Sequence, residues 1–259
     1  WDVMGQKFGW PIHKLLFGQG RTQVPAYASS VLIDTPSRMA QEAQRLVHDG
    51  YSAIKIKVSG DVVQDLERVL AVHEAVGEGI NIKIDANSGF DAPDAIAFAQ
   101  QIKALGVYWL EEPLFLDDIP AYRRLRACTG MRVALGEGEF HTSGFRVFLE
   151  EGLVDIIQPN ITRAGGFTGV RRIAALAQSF GVAVAPHTGA SGPLCMAATL
   201  QLAASLSGFA VYEFMYLENP FKNFFDSPLP EPIDGKIAIP QGPGLGVRPA
   251  REALEGLLE

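Results

Sequence analysis

Residues 53–85 read AIKIKVSGDVVQDLERVLAVHEAVGEGINIKID, and this stretch decides the fold class. Its first six residues, Ala53-Ile54-Lys55-Ile56-Lys57-Val58, alternate apolar and charged side chains with the two-residue period of a β-strand. A helical stretch runs from about Asp61 to Val76 and is closed by Gly77. A second strand, Asn81–Asp85, follows. Strand, crossover helix and second strand make the repeating unit of a parallel sheet. The unit recurs in both directions, with strand candidates at Val24–Ala28, Val107–Glu111, Val133–Glu137, Val154–Pro159, Val182–His187 and Val211–Glu213. Helices near 36–48, 92–105, 118–127, 142–151, 166–180 and 192–205 fill the gaps.

The spacing selects a barrel over an open sheet. Asp85, Glu111 and Glu137 stand 26 residues apart in succession, as do His187 and Glu213. Eight such units suit a closed (β/α) barrel, which is compact at about 250 residues. An open nucleotide-binding sheet would carry a Gly-rich loop after its first strand, and none stands there. Gly242-Pro243-Gly244-Leu245-Gly246 comes late, follows no βαβ unit and reads as a turn. The ends leave the period: residues 1–20 read as one amphipathic helix ending at Gly18-Gln19-Gly20, and 219–247 as a Pro- and Gly-rich segment wandering outside the barrel. The expected divisions are therefore 1–20, a barrel over 21–218, and an outer segment over 219–259.

Composition narrows the function classes. The 259 residues are 47% apolar by the usual set and 20% charged, the balance of a core-forming chain. A net charge of −7 argues against nucleic acid or anionic membranes as partners. No apolar run reaches membrane-spanning length, and the first ten residues lack the pattern of a secretory signal. Cys128 and Cys195 cannot form a disulfide framework, so a cytoplasmic setting is expected. The helical stretches near 166–180 and 192–205 are apolar enough for either barrel packing or subunit contact, and a homo-oligomer is expected.

In such barrels the chemistry sits at the C-terminal ends of the strands. Those ends carry Lys55 and Lys57, Asp85, Glu111, Glu137, Asn160, His187 and Glu213. A lone acid there is usually a solvated loop residue. Three at matched offsets on consecutive strands instead require a counter-charge, and a hard divalent cation such as Mg²⁺ supplies it. Lys55 and Lys57, two apart, point to one face, into the barrel, with Ile54, Ile56 and Val58 on the other. Burial and mutual repulsion would favour the neutral amine of one of them, which could then act as a general base. His187 is the one histidine of five at a strand end; His141, just past the fifth strand, is a candidate for substrate contact. Asn160-Ile161-Thr162 matches a glycosylation sequon, expected to be accidental.

With these residues placed, the sequence resembles the mandelate racemase branch of the enolase superfamily. The resemblance rests on Ile54-Lys55-Ile56-Lys57, Ile84-Asp85-Ala86-Asn87, Trp109-Leu110-Glu111-Glu112-Pro113, Gly136-Glu137, Gln158-Pro159-Asn160 through Gly165-Gly166, and Pro186-His187. It implies an α/β fold, a TIM-like (β/α)7β barrel, with Asp85, Glu111 and Glu137 as Mg²⁺ ligands. Lys57 then corresponds to the base on one face of the substrate and His187 to the acid/base on the other. Lys55 and Glu213 correspond to groups that polarise the substrate carboxylate, and Asn87 and His141 fall on the substrate side. The implied chemistry is removal of the proton α to a carboxylate to give a metal-stabilised enediolate. Dehydration of a sugar acid is the leading expectation. A racemase, epimerase or cycloisomerase, or a silent barrel serving as a binding module, are the alternatives. The family usually pairs its histidine with an Asp where this chain has Asn160, which makes His187 the poorer base and favours a one-base reaction. The resemblance also implies an N-terminal capping domain, to which residues 1–20 would connect.

Overall fold

A computed structural model describes all residues except 18–19, 190, 220, 222–224, 227, 251–254 and 256–259. Its spine is a parallel sheet of eight strands: β1 (Gln23–Val31), β2 (Ala53–Lys57), β3 (Asn81–Asp85), β4 (Trp109–Glu111), β5 (Val133–Leu135), β6 (Ile156–Ile157), β7 (Ala183–Val184) and β8 (Tyr212–Met215). They pair in the order β7-β6-β5-β4-β3-β2-β1-β8. β1 and β8 lie side by side in parallel, with Ala26 opposite Tyr212 and Ser29 opposite Met215. A bridge between Val184 and Phe209, just before β8, joins the two ends of the sheet. The expected barrel is therefore present.

Alternation along the strands sorts side chains between two cores. Ile54, Ile56, Ile82, Ile84, Leu110, Val133, Leu135 and Ile157 face outward and pack with the helices. Tyr27, Ala53, Trp109, Ala134, Ile156 and Ala185 form a separate cluster inside the barrel. The enclosing helices are α3 (Pro36–His48), α4 (Val62–Val76), α5 (Ala92–Ala104), α6 (Ile119–Thr129), α7 (His141–Glu150), α8 (Gly166–Ser179) and α9 (Pro193–Ser205). Asp61, Asp91 and Asp118 cap α4, α5 and α6 by accepting from backbone N–H groups of the first turn. The last of the strand-helix units, α9, is buried on nearly every side.

Both ends differ from the sequence reading. The described N-terminal residues form two short helices, α1 (Asp2–Phe8) and α2 (Ile12–Phe17), rather than one. Gly9 ends α1 in the left-handed region at φ 70°, and Pro11 precedes α2. Of the proposed Gly-rich turn, Gly18 and Gln19 lie outside the described residues. The later part of the outer segment is tied down rather than wandering: β9 (Lys236–Ala238) pairs antiparallel with the start of β1, Val24 opposite Ile237. Gln201 on α9 donates to the carbonyls of Pro240 and Leu245 and accepts from the His13 backbone N–H, so one buried amide joins α2, α9 and the C-terminal segment.

The loops above β2 and β3 are held by contact between two glycines. Gly60 has φ 95°, and a Cβ there would run into the Gly89 carbonyl. The same loop is pinned from below, since the buried Asp65 carboxylate accepts from the N–H groups of Ser59 and Gly60 and pairs with Arg68. Gly60→Ala therefore combines a strained backbone with a steric clash and is expected to destabilise the protein by about 1–3 kcal/mol. Chemical denaturation checks this; a loss within 0.5 kcal/mol, the range of ordinary surface changes, would exclude it.

Candidate active site

The strand ends converge at the C-terminal mouth of the barrel, and parallel register does the placing. Lys57 lies opposite Asp85, and Asp85 opposite Glu111. Asp85, Glu111 and Glu137 each offer a carboxylate oxygen, and the three atoms lie within 4.8 Å of one another. Asp85 and Glu111 are fully buried; the Glu137 side chain is 21% exposed and faces the mouth. Such a set of hard oxygen donors with one open side fits a divalent cation that keeps positions for other oxygen ligands.

The charges respond to this crowding. Burial and the Asp85 charge push the Glu111 carboxyl up to about 8. Burial also opposes ionisation of Asp85, but Lys55 and Lys57 outweigh it and hold its pKa below the usual carboxylate range. The sign of the Glu111 effect on stability follows from linkage. A carboxyl raised from 4.5 to about 8 binds its proton more tightly when folded, so stability falls as pH rises through that interval. The scale is about 1.4 kcal/mol per pKa unit. With chelator present, the wild type should lose stability relative to Glu111→Gln between these pH values. A saturating divalent cation should restore the wild type alone, and titration calorimetry should find one cation site that the substitution severely weakens. Parallel melting curves of the two proteins across the pH range would contradict this.

The two lysines are not equivalent. Lys55 is buried, with Nζ 2.7 Å from Glu111 Oε1, 2.8 Å from Glu213 Oε1 and 3.3 Å from Asp85 Oδ2. Burial disfavours its charge, yet Glu111 and Glu213 overcome this and raise its pKa well above the ordinary value. Lys57 keeps 23% of its side chain exposed and sits 2.5 Å from Asp85 Oδ2 and 2.6 Å from Asn87 Oδ1. Both lysines meet Asp85 Oδ2, and the carboxylates of Glu111 and Glu213 hold Lys55 charged, so Lys55 is not the neutral member of the pair.

Across the mouth, His187 Nε2 lies 2.8 Å from Glu137 Oε2 and 3.8 Å from Glu213 Oε2, and Nδ1 lies 3.2 Å from the Asn160 amide nitrogen. Burial opposes the charged ring, but Glu213 and Glu137 outweigh it and raise its pKa. Glu213 accepts from Ser29 Oγ and from the N–H groups of Thr188 and Gly189. Burial alone would raise its pKa, but Lys55 and His187 drive it well below the carboxylate range.

A cavity of about 370 Å³ is lined by Lys55, Lys57, Glu137, Asn160, His187 and Glu213, together with Ser29, Ser30, Arg163, Ser191 and Met215. Asn87 touches Lys57 just outside this lining, and His141 lies exposed at the start of α7, apart from it. Ser29 and Ser30 were missed because the first strand was read only to Ala28, whereas it runs to Val31. Arg163 and Ser191 lie on loops and carried no periodic signal.

Two further polar groups lie inside the barrel and were also missed. Lys83, two residues before Asp85 and so on the same face, sits 4.9 to 5.3 Å from the ring centres of Tyr27, Tyr108 and Trp109. Burial and the Lys55 charge push it down to about 7. Gln158 is buried with neither amide atom partnered among the described residues. No helix among the described residues is long and apolar enough to cross a membrane.

Known proteins share this arrangement of chain. A family profile described as "Enolase C-terminal domain-like" matches residues 38–253. The D-galactarolactone cycloisomerase of Agrobacterium fabrum is 36% identical over 98% of this chain, which spans 70% of that protein. The D-gluconate dehydratase of Thermoproteus tenax is 33% identical over 98% of the chain, which spans 54% of it. The crystal structure of the 3,6-anhydro-D-galactonate cycloisomerase from Zobellia galactanivorans superposes with a TM-score of 0.91 at 31% identity, covering 99% of this chain and 72% of that one. The acidic triad is of the kind that holds a divalent metal in such barrels, and the chain belongs to the enolase superfamily, as a C-terminal barrel domain of the mandelate racemase and muconate lactonizing enzyme type.

Proposed function

We propose that this barrel carries out Mg²⁺-dependent dehydration of a sugar acid, with Lys57 taking the α-proton and His187 assisting departure of the β-hydroxyl. The observation that carries this reading is one cavity lined by Lys57, His187 and the Glu137 end of the acidic triad. Asp85, Glu111 and Glu137 would hold the Mg²⁺, whose charge would stabilise the negative charge that develops on the substrate carboxylate. Asp85 would then be shared between the ion and Lys57, whose Nζ meets its Oδ2. Lys55, held charged among its carboxylates, supplies a fixed positive charge beside the substrate carboxylate. Glu213 keeps Lys55 and the 188–189 backbone in position. Asn87 positions Lys57.

The balanced reaction converts a 2,3-dihydroxy acid to its enol and water, and the enol tautomerises to a 2-keto-3-deoxy acid. Relatives named as D-gluconate and D-xylonate dehydratases support the substrate class. The 36%-identical relative named as a cycloisomerase keeps a second reading alive, since an intramolecular rearrangement can begin with the same proton removal. A screen of acid sugars and their lactones, followed for 2-keto-3-deoxy acid, separates the two. Dehydration of an open-chain acid supports the proposal; conversion of a lactone without loss of water would replace it.

A further inference from the structure

The side chain of Asn160 is buried, and its surroundings leave one orientation for the amide. The backbone N–H of Thr162 lies 2.9 Å from Asn160 Oδ1, and the Thr162 hydroxyl lies 2.6 Å from the same atom. A backbone N–H can only donate, so the atom facing it must be the amide oxygen. The NH2 group is thereby turned the other way, toward Ser191 Oγ at 3.3 Å and His187 Nδ1 at 3.2 Å. Facing a donor, Nδ1 must accept. The ring proton is then on Nε2, the nitrogen that points to Glu137 and the cavity. The Asn-Ile-Thr triplet that reads as a sequon in the sequence is an internal hydrogen-bonded turn in the fold.

We propose that Thr162 is a positioning residue: by directing two donors at Asn160 Oδ1 it keeps the amide NH2 on His187 Nδ1 and so holds the imidazole proton on Nε2. In this tautomer His187 has a proton to give on the cavity side and no lone pair there with which to take one. The direction of proton transfer on that face is thus set two residues away from Asn160, by a side chain that does not touch substrate. This deepens the proposed function, on which it rests for the use made of the proton, but the tautomer itself is a property of the resting protein.

The test is ¹H–¹⁵N long-range correlation spectroscopy of protein labelled at histidine, in alkaline buffer with saturating Mg²⁺, with His187→Asn identifying the resonance. The wild type should show the proton mainly on Nε2, with a minor Nδ1–H form. Asn160→Asp, which offers Nδ1 only an acceptor, should move it to Nδ1. Thr162→Val keeps the shape and the backbone donor but loses the hydroxyl, and should raise the Nδ1–H population roughly fivefold, the equivalent of one neutral hydrogen bond. Thr162→Ser should restore the wild-type signal. Thr162 is exposed, so its substitution leaves no cavity, and thermal melting verifies that each variant folds. A wild-type proton mainly on Nδ1 would overturn the proposal. So would a folded Thr162→Val protein that is indistinguishable from wild type. Failure of the sugar-acid reading appears separately, as absence of turnover with the tautomer unchanged.

Discussion

Replacement of Lys57 by Ala is expected to abolish exchange of the substrate α-proton with D2O, whereas His187→Asn should keep that exchange and slow product formation. The two outcomes follow from two different placements. Lys57 reaches the cavity with part of its side chain exposed, tied to Asp85 and Asn87 by ion pair and hydrogen bond. Its partner Asp85 is one of the three triad carboxylates, so the Lys57 ion pair adjoins the triad directly. His187 is oriented by an amide rather than a carboxylate and cannot stabilise an imidazolium through Nδ1 as a His–Asp pair does. Loss of one general acid or base removes roughly 10²–10⁴ in rate. For Lys57 the loss falls on the first step and takes exchange with it. For His187 it falls on departure of the β-hydroxyl, after exchange has begun. Proton NMR of a turned-over acid sugar in D2O measures both. Equal loss of exchange in both variants, on both epimers of the substrate, would point to two bases and to a racemase or epimerase.

How far the sequence could be read depended on whether the determining interactions were local. Strand alternation and the 26-residue spacing are local, and they placed Asp85, Glu111 and Glu137 on adjoining strands before any contact was known. The Gly9 and Pro11 that divide the N-terminal helix were also visible, and weighing them would have split it. The pairing of β9 with β1 was not visible, because a three-residue strand far along the chain acquires its partner through the tertiary fold. The charge state of Lys55 was hidden for the same reason. Two lysines on one strand read as mutual repulsion, but the carboxylates that decide the matter come from β3, β4 and β8. Lys83 carried the same inward-facing signal as Lys55 and was passed over because it does not end its strand. Thr162 entered the sequence reading only as the end of an accidental sequon match, and the turn geometry is what brings its hydroxyl onto Asn160.

Lys55→Met is expected to cost about 3–5 kcal/mol of folding stability, the range for removing one partner of a buried ion pair. Lys55 is the one cation whose Nζ meets Asp85, Glu111 and Glu213 together among the described residues, and all four groups are essentially without solvent. Methionine fills much of the same volume, so the loss reports charge rather than a cavity. The pH dependence gives the diagnostic. In the wild type, Lys55 lowers the pKa of both Asp85 and Glu213. Without it those pKa values rise, the folded state binds more protons than before, and the stability of the variant falls more steeply as pH increases. The deficit should therefore be smallest in acid and grow toward neutrality. Mg²⁺ binding distinguishes this from general damage to the site: a positive charge beside the triad opposes a cation, so Lys55→Met should bind Mg²⁺ at least as tightly as the wild type, while Glu111→Gln, which removes a ligand, binds it far more weakly. Urea denaturation across pH, with and without Mg²⁺, makes both measurements. A deficit that does not change with pH, or a loss of Mg²⁺ affinity matching that of Glu111→Gln, would mean that Lys55 holds the shape of the site rather than its charge balance.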